Sequence, residues 1–447
     1  MKRKEEKRGM GLNGKLLLIA VIVLASFIFL EIAISTLNNF LKAPLLLLTL
    51  FASGKLMAKI GGLENYYGII ILRGEKGFST MHKLARHPKL MRALADFGMS
   101  IGFGLVYSFF VFRKHPKKFF GHALIVCTFF GTLLYSNSTA QSGWGMAAIG
   151  MLGGLLFFGI ASLVIQALNI ITVPESTAGA ALIVPGVTIP FWEGLIAIII
   201  AVTVHEIAHG VLAMIEKLEV KNSGVILFGV LPVGAFVEPN EKKLSGLEMH
   251  KKRRILIAGT TANFLTFLLF SVLIIPLVPL GMGMADGVQV AALSKDSASL
   301  GILAEKDIIT AVNGQSATNY PQFAELMKGK KEGDVVKLTT DKGEKSIILG
   351  ANGKMGIVPE NHFPENIFAI GAFLFILGTM SWVIIINLAL AVINLVPIFL
   401  TDGYRLVYEE ARGVFPSKGD TNAKRIAIAA GAICVLLLLI NFLPNFW

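Results

Sequence analysis

The sequence predicts an α-helical polytopic membrane protein that carries one small soluble α/β insert. Three observations lead there. Hydrophobic residues make up 54% of the chain and charged residues only 16%, a balance that excludes an ordinary soluble globule. Apolar runs of spanning length recur near 16–37, 41–58, 95–112, 119–137, 144–170, 188–215, 254–280, 367–397 and 425–446. Only Gly287 to Pro359 reads as a long stretch with the mixed polar and β-branched character of a soluble fold.

The first run, Leu16–Ile34, follows a basic start (Lys2, Arg3, Lys4, Lys7, Arg8) and is too long for a signal-peptide core, which predicts a retained span. The next three runs are short or glycine-broken, so re-entrant helices remain an alternative there. Between Glu64 and Arg92, the cations Lys76, Lys83, Arg86, Lys89 and Arg92 alternate with apolar residues. That pattern fits a strand followed by an interfacial amphipathic helix, or a solvated linker. Residues 1–187 together read as an additional transmembrane bundle without visible chemistry. Cys127 and Cys434 each sit in an apolar run, which excludes a disulfide framework and a cysteine metal site.

The net charge of +12 comes from cations placed beside apolar runs, a topology signal that meets anionic lipid rather than nucleic acid. By this rule the N-terminus and the basic loop Lys242, Lys243, His250, Lys251, Lys252, Arg253, Arg254 are both cytoplasmic, with five crossings between the start and Phe191. The loop Arg113–Lys118 would then face outward, against the rule.

Chemistry concentrates in Phe191–Ile215, where His205-Glu206-Ile207-Ala208-His209 interrupts an otherwise apolar helix. Positions four apart lie on one helix face, so both imidazoles can hold one metal ion while Glu206 serves as a base beside it. Two core histidines bonded across helices are the alternative. Ionisable groups at membrane depth favour function. With the helix ending near Lys217, His209 and His205 lie roughly 12 and 18 Å from its polar end, from a rise of about 1.5 Å per residue. Farther on, Asn394-Leu395-Val396-Pro397 breaks an apolar run, and Asp402-Gly403 follows. Pro397 interrupts the helix and Gly403 allows a tight turn; alone Asp402-Gly403 is an ordinary turn signal, and together with the two histidines Asp402 becomes a third ligand.

These residues make the chain resemble the site-2 protease intramembrane metalloproteases, peptidase family M50. His205, Glu206 and His209 match H-E-x-x-H; Asn394, Pro397, Asp402 and Gly403 match N-x-x-P-x-x-x-x-D-G; Gly259 and Asn263 match G-x-x-x-N, with Thr260 where many members have proline. The match runs from Phe191 to the C-terminus. The resemblance implies one Zn²⁺ held by His205, His209 and Asp402, with Glu206 as general base. Asn394 and Asn263 either hold substrate backbone and the oxyanion or form interhelical bonds. It further implies endoproteolysis of transmembrane segments in single-pass substrates, as in regulated intramembrane proteolysis. The core would be split into 188–282 and 363–447, in a prokaryotic plasma membrane, with the catalytic face cytoplasmic. A cation transporter gains nothing from a base beside the metal, and a silent scaffold does not need the full set.

Val225 to Val237 is β-branched and too short to span, which predicts a membrane-inserted hairpin or loop. Its edge could pair with an unwound substrate, or it could merely pack. In the insert, strands are expected at Val288–Leu293, Asp307–Val312, Val335–Thr340, Lys345–Leu349 and Lys354–Val358, with helices at Ser297–Leu300 and Tyr320–Met327. The stretch Leu300 to Gly314 resembles the core of a permuted, prokaryotic PDZ domain, which puts a PDZ-like, extracytoplasmic domain at 283–362. That resemblance implies capture of a peptide terminus at Met355, Gly356 and Ile357, or else a lid that only filters substrates by size.

Overall fold

The computed structural model describes residues 11–74, 77–136, 141–173, 176–294, 297–364, 368–414 and 419–446; the basic cluster at Lys2–Arg8 lies outside them. The chain divides into two compact units, residues 1–269 with 382–447, and residues 270–381. Among the described residues, eight helices are long and apolar enough to cross a membrane.

The larger unit opens with helices α1 (Leu12–Ile34) and α2 (Asn39–Gly61), then strands β1 (Asn65–Tyr66) and β2 (Ile69–Gly74). Helices α3 (Phe78–Ala85), α4 (Pro88–Phe112), α5 (Pro116–Ser136) and α6 (Gln141–Thr172) follow. Next come α7 (Phe191–Ile215), strands β3 (Val220–Phe228) and β4 (Leu231–Pro239), the short α8 (Glu241–Ser245) and α9 (Met249–Ile274). Helix α5, expected as a span, is not among the eight. Helices α4 and α6 are each interrupted where they cross. Gly104 (φ 72°) and Gly154 (φ 68°) adopt left-handed backbone, and a Cβ on either would run into the other helix's backbone.

The expected hairpin is present, and it belongs to a larger sheet of order β1-β2-β3-β4. Strand β2 pairs antiparallel with β3 from Ile69↔Phe228 to Gly74↔Ser223, and β3 pairs with β4 across a tight turn at Gly229 and Val230. The N-terminal 187 residues thus contribute two strands to a sheet completed by the hairpin after α7. Met81 of α3 is buried against α7, where a Cβ at Gly210 would meet its sulfur. The expected strand and amphipathic helix are β2 and α3, and the apolar face of α3 packs on protein at Met81. The core of this unit packs Met99, Ile101 and Phe130 from the first half together with Leu212, Ile257, Phe264 and Leu395.

The basic run at the start of α9 also differs from expectation. Lys252 pairs with Glu409 at 2.7 Å and is only 7% exposed; Arg253 pairs with Glu410 at 2.5 Å; Arg254 meets Asp96 through two bonds of 2.7 and 2.8 Å. These three cations are engaged by protein carboxylates. Of the three, only Lys252–Glu409 is enclosed, and breaking it costs about 3–5 kcal/mol because the partner stays charged and largely buried. Glu216, just past α7, is buried as well and takes a 2.7 Å bond from Arg92 of α4.

The smaller unit contains α10 (Leu277–Met282), β5 (Gly287–Leu293), β6 (Ile308–Val312), β7 (Gln315–Ser316), α11 (Tyr320–Met327), β8 (Val335–Thr340), β9 (Gly343–Ile348) and β10 (Ile357–His362). Its sheet runs β10-β5-β6-β8-β9, with β7 on β6. Asn313 and Gly314 turn β6 into β7 with φ of 50° and 79°, as their hairpin chemistry predicts. Two expectations shift. Ser297–Leu300 forms turns instead of a helix. The last strand begins at Ile357 rather than Lys354, because Asn352, Gly353 and Gly356 hold positive φ and cannot extend a ladder. Asp307 is buried. Burial alone would raise its pKa, but bonds from Lys342, the Ala304 N–H and Lys345 hold it well below the usual carboxylate range.

Helix α12 (Phe368–Ile393) runs from this unit back into the larger one, which closes with α13 (Asp402–Val414) and α14 (Gly419–Phe442).

Candidate active site

His205 and His209 lie one turn apart on α7, and Asp402 is the first residue of α13, brought to them by the irregular segment after α12. Pro397 lies within that segment, and Thr401 secures its end by accepting from Ile398 N and donating to Val396 O at 2.7 Å. Gly403 sits in helix rather than in a left-handed turn. Its role is close approach: its N–H donates to Asn394 O at 2.7 Å, and a Cβ would strike the Leu395 carbonyl. The ion pairs from Lys252 and Arg253 to Glu409 and Glu410 hold α13 against α9 two turns further on, so they fix where Asp402 points.

Both histidine rings are oriented by their far nitrogens. His205 Nδ1 lies 2.7 Å from Asn263 Oδ1, and His209 Nδ1 lies 2.7 Å from the Ile255 carbonyl. Asn263 directs its amide N–H groups to Ala201 O and Asn387 Oδ1, both at 3.0 Å, so its Oδ1 faces the ring and must accept. Each Nδ1 therefore carries the proton, and each Nε2 is left with its lone pair. The two Nε2 atoms stand 3.1 Å apart, and Asp402 Oδ2 lies 3.2 and 3.0 Å from them. Three lone-pair donors facing one another in an apolar helix bundle repel unless a proton or a metal ion lies among them. Tetrahedral zinc ligands at their usual bond lengths are about 3.4 Å apart, close to these spacings. The donor set fits a divalent ion of that kind.

Of the two uses the sequence allowed for Asn263, the geometry shows the interhelical one: it is fully buried, bonded to His205, Ala201 and Asn387, and is not among the residues lining the cavity. Gly259 completes the device, since a Cβ there would collide with the His205 ring. Thr260 is buried with a hydroxyl lacking a partner among the described residues.

A cavity of about 360 Å³ opens onto the three donors and is also lined by Glu206, Asn394 and Arg405. Glu206 Oε2 accepts the Val237 N–H of β4 at 2.9 Å, which places the free edge of the sheet directly against this carboxylate. The Asn394 amide has no side-chain partner among the described residues and faces the same space. In the smaller unit, Met355, Gly356 and Ile357 line a groove of about 630 Å³ together with Phe323 and Met327 of α11. The Met355 carbonyl is already occupied by the hydroxyls of Ser297 and Ser299 at 2.8 and 2.9 Å.

Sequence reasoning missed Asn387, Val237 and Arg405. Asn387 had a signal, being an amide inside an apolar run. Arg405 stands one helical turn after Asp402, on the same face. The Val237 N–H had none, since it follows from sheet register.

A polytopic helical fold with a His₂Asp donor set, one histidine buried and the other two groups partly so, and an adjacent glutamate defines a membrane-embedded metallohydrolase class. The chain belongs to peptidase family M50, whose family model matches residues 193–438, and that membership implies a metalloprotease. The chain is also 30% identical over 239 residues to an uncharacterized protein of Methanocaldococcus jannaschii, a match covering 53% of this chain and 61% of that protein.

Proposed function

We propose that this protein is a zinc-dependent endopeptidase of the site-2 protease type that cleaves transmembrane segments of single-pass proteins within the bilayer. The observation that carries the reading is the convergence of two imidazole lone pairs and one carboxylate beside Glu206, inside apolar helices. His205, His209 and Asp402 would hold one Zn²⁺, which when bound polarises the scissile carbonyl and makes water a stronger acid.

The remaining work falls to the chain's own groups. Glu206 takes the proton from the attacking water and hands it to the leaving amine nitrogen. The Val237 N–H fixes one of its oxygens, leaving the other directed at the reaction. Asn394 offers an amide to the substrate backbone or the developing oxyanion. A helical substrate must unwind first, because its amides are otherwise bonded internally. The free edge of β4, ending against Glu206, supports capture of the unwound strand by edge pairing. The groove between α11 and β10 supports reading the smaller unit as a PDZ-like domain that takes a peptide terminus or screens substrates by size. The basic run at the start of α9 supports a cytoplasmic catalytic face with the insert outside; an N-terminus on that same side needs five crossings before α7, one more than the four helices of spanning length described there.

The test is cleavage of a transmembrane peptide carrying a helix-destabilising Gly-Pro pair, by the purified chain in lipid nanodiscs. Activity should vanish on zinc chelation and return with stoichiometric zinc. Zinc-independent cleavage, or none after reloading, contradicts the proposal.

A further inference from the structure

A further cavity, of about 370 Å³, lies behind the catalytic helix and takes no part in the reaction outlined above. Val204, Ile207, Ala208 and Val211 of α7 form one wall. Successive residues of a helix are about 100° apart, so these positions point away from His205 and His209. The cavity backs onto the metal-binding turn and shares no lining residue with the catalytic one. Helix α4 closes it with Met91 and Leu94, α9 with Ala258 and Leu265, and α3 supplies the exposed Thr80 and Leu84 at the rim.

The lining is apolar apart from Thr80 and Thr261, and the Thr261 hydroxyl already donates to Ile257 O at 2.8 Å. Water gains too few partners in such a space to settle there. Along α7 the cavity reaches from Val204 to Leu212, about 12 Å at a rise of 1.5 Å per residue. Its volume over that length gives a mean cross-section of about 30 Å². A transmembrane helix about 10–12 Å across needs about 80–110 Å², so a helical partner does not fit. The slot suits one extended hydrocarbon chain.

Its rim is cationic. From Gly77 to Ala95 the sequence holds Lys83, Arg86, Lys89 and Arg92 and no acidic residue. Arg92 is committed to Glu216. Lys83, Arg86 and Lys89 are exposed, and none of the three has an ion pair among the described residues. Each stands within two residues of Leu84 or Met91, which line the slot. The bond from Arg92 to Glu216 ties this corner to the C-terminal end of α7, so the charges gather at one end of the slot and its apolar depth runs away from them.

We propose that this slot binds one anionic phospholipid, its acyl chain lying against the back of α7 and its phosphate among Lys83, Arg86 and Lys89. The site is divided as the lipid is, with a dry channel along a membrane-spanning helix and uncommitted cations at one end. The bound chain fills the space behind Ile207 and Ala208, between Glu206 and His209, and so braces the turn that carries the metal ligands. The site stands on the slot and its charges and does not depend on the protease reading.

The experiment titrates the full chain, purified in a neutral detergent, with phosphatidylglycerol and with phosphatidylcholine of the same acyl chains, and counts bound lipid by native mass spectrometry. One phosphatidylglycerol should bind about 20- to 100-fold more tightly than phosphatidylcholine, since each cation beside an anionic headgroup is worth about five-fold. Lys83→Gln, Arg86→Gln and Lys89→Gln together should remove that preference. Ala262→Leu, which fills the slot from α9, should weaken both lipids about ten-fold, because each methylene kept out of the slot forfeits about four-fold. Leu84→Trp at the exposed rim should do the same without burdening the core, and carries the comparison if Ala262→Leu fails to fold. Equal affinity for the two lipids, a preference that survives loss of the three cations, or slot-filled variants that bind phosphatidylglycerol like the parent each overturn the proposal. So does one-for-one displacement of the lipid by a transmembrane peptide, which would give the slot to substrate.

Discussion

Replacing Gly259 with alanine should weaken zinc binding about 100-fold while improving the propensity of the helix that carries the substitution. Alanine is favoured over glycine in a helix interior by about 1 kcal/mol, so helix propensity alone predicts a gain. The new methyl, however, would stand closer than 3.0 Å to three atoms of the His205 ring, and ordinary contact begins near 3.4 Å. The ring or the helix must therefore yield by at least about 0.4 Å, twice the roughly 0.2 Å tolerance of a metal–ligand distance. The ring cannot move freely, because Nδ1 is held by Asn263 at 2.7 Å. If α9 yields instead, Asn263 moves with it. Disturbing the support of a zinc-bound histidine typically lowers metal affinity about 10- to 100-fold, and a direct clash should reach the upper end. Zinc content after dialysis and competition with a calibrated chelator would measure the loss, and circular dichroism would confirm the helices. A Gly259→Ala protein with zinc affinity within about two-fold of the parent would refute the account of why α9 carries glycine here.

Asp402→Ala should bind zinc far more weakly than the parent; equal affinity in the same chelator competition would place the third ligand elsewhere. Asp307→Asn should destabilise the smaller unit near neutral pH. Because the folded-state pKa of Asp307 is depressed, its contribution is present above the unfolded value of about 4 and is lost as pH falls below it, so acid unfolding curves of parent and variant should converge there. Deleting Gly287–Pro359 behind a short linker should leave cleavage of a short peptide intact and relax exclusion of bulky outer domains, read by comparing matched short and bulky substrates. An unchanged preference in a folded, zinc-bound deletion would remove the gating role.

The donor set was legible in the sequence because helix periodicity converts a spacing of four residues into one face, and because an unpaired carboxylate after a proline-broken apolar run has few structural uses. The hairpin and most insert strands were legible from alternation and from Asn313-Gly314. What local pattern cannot carry is long-range partnership. The run Lys251 to Arg254 looked like a lipid-facing topology signal because its partners Glu409 and Glu410 stand 157 positions away. The pairing of β2 with β3 was not legible because its register depends on residues far along the chain. Both uses of Asn263 stayed open until Asn387 and Ala201 fixed which way its amide faces. The late start of β10 was hidden in three positions of positive φ, only two of which are glycine.

The central claim is that Glu206 is the base and not a ligand, and Glu206→Gln tests it most directly. Measured side by side, zinc stoichiometry and cleavage of the Gly-Pro transmembrane peptide should separate in this variant. Zinc should stay at one ion per chain, because His205, His209 and Asp402 are untouched, while cleavage should fall to background. Loss of zinc from Glu206→Gln, or retention of cleavage with zinc in place, would contradict the account.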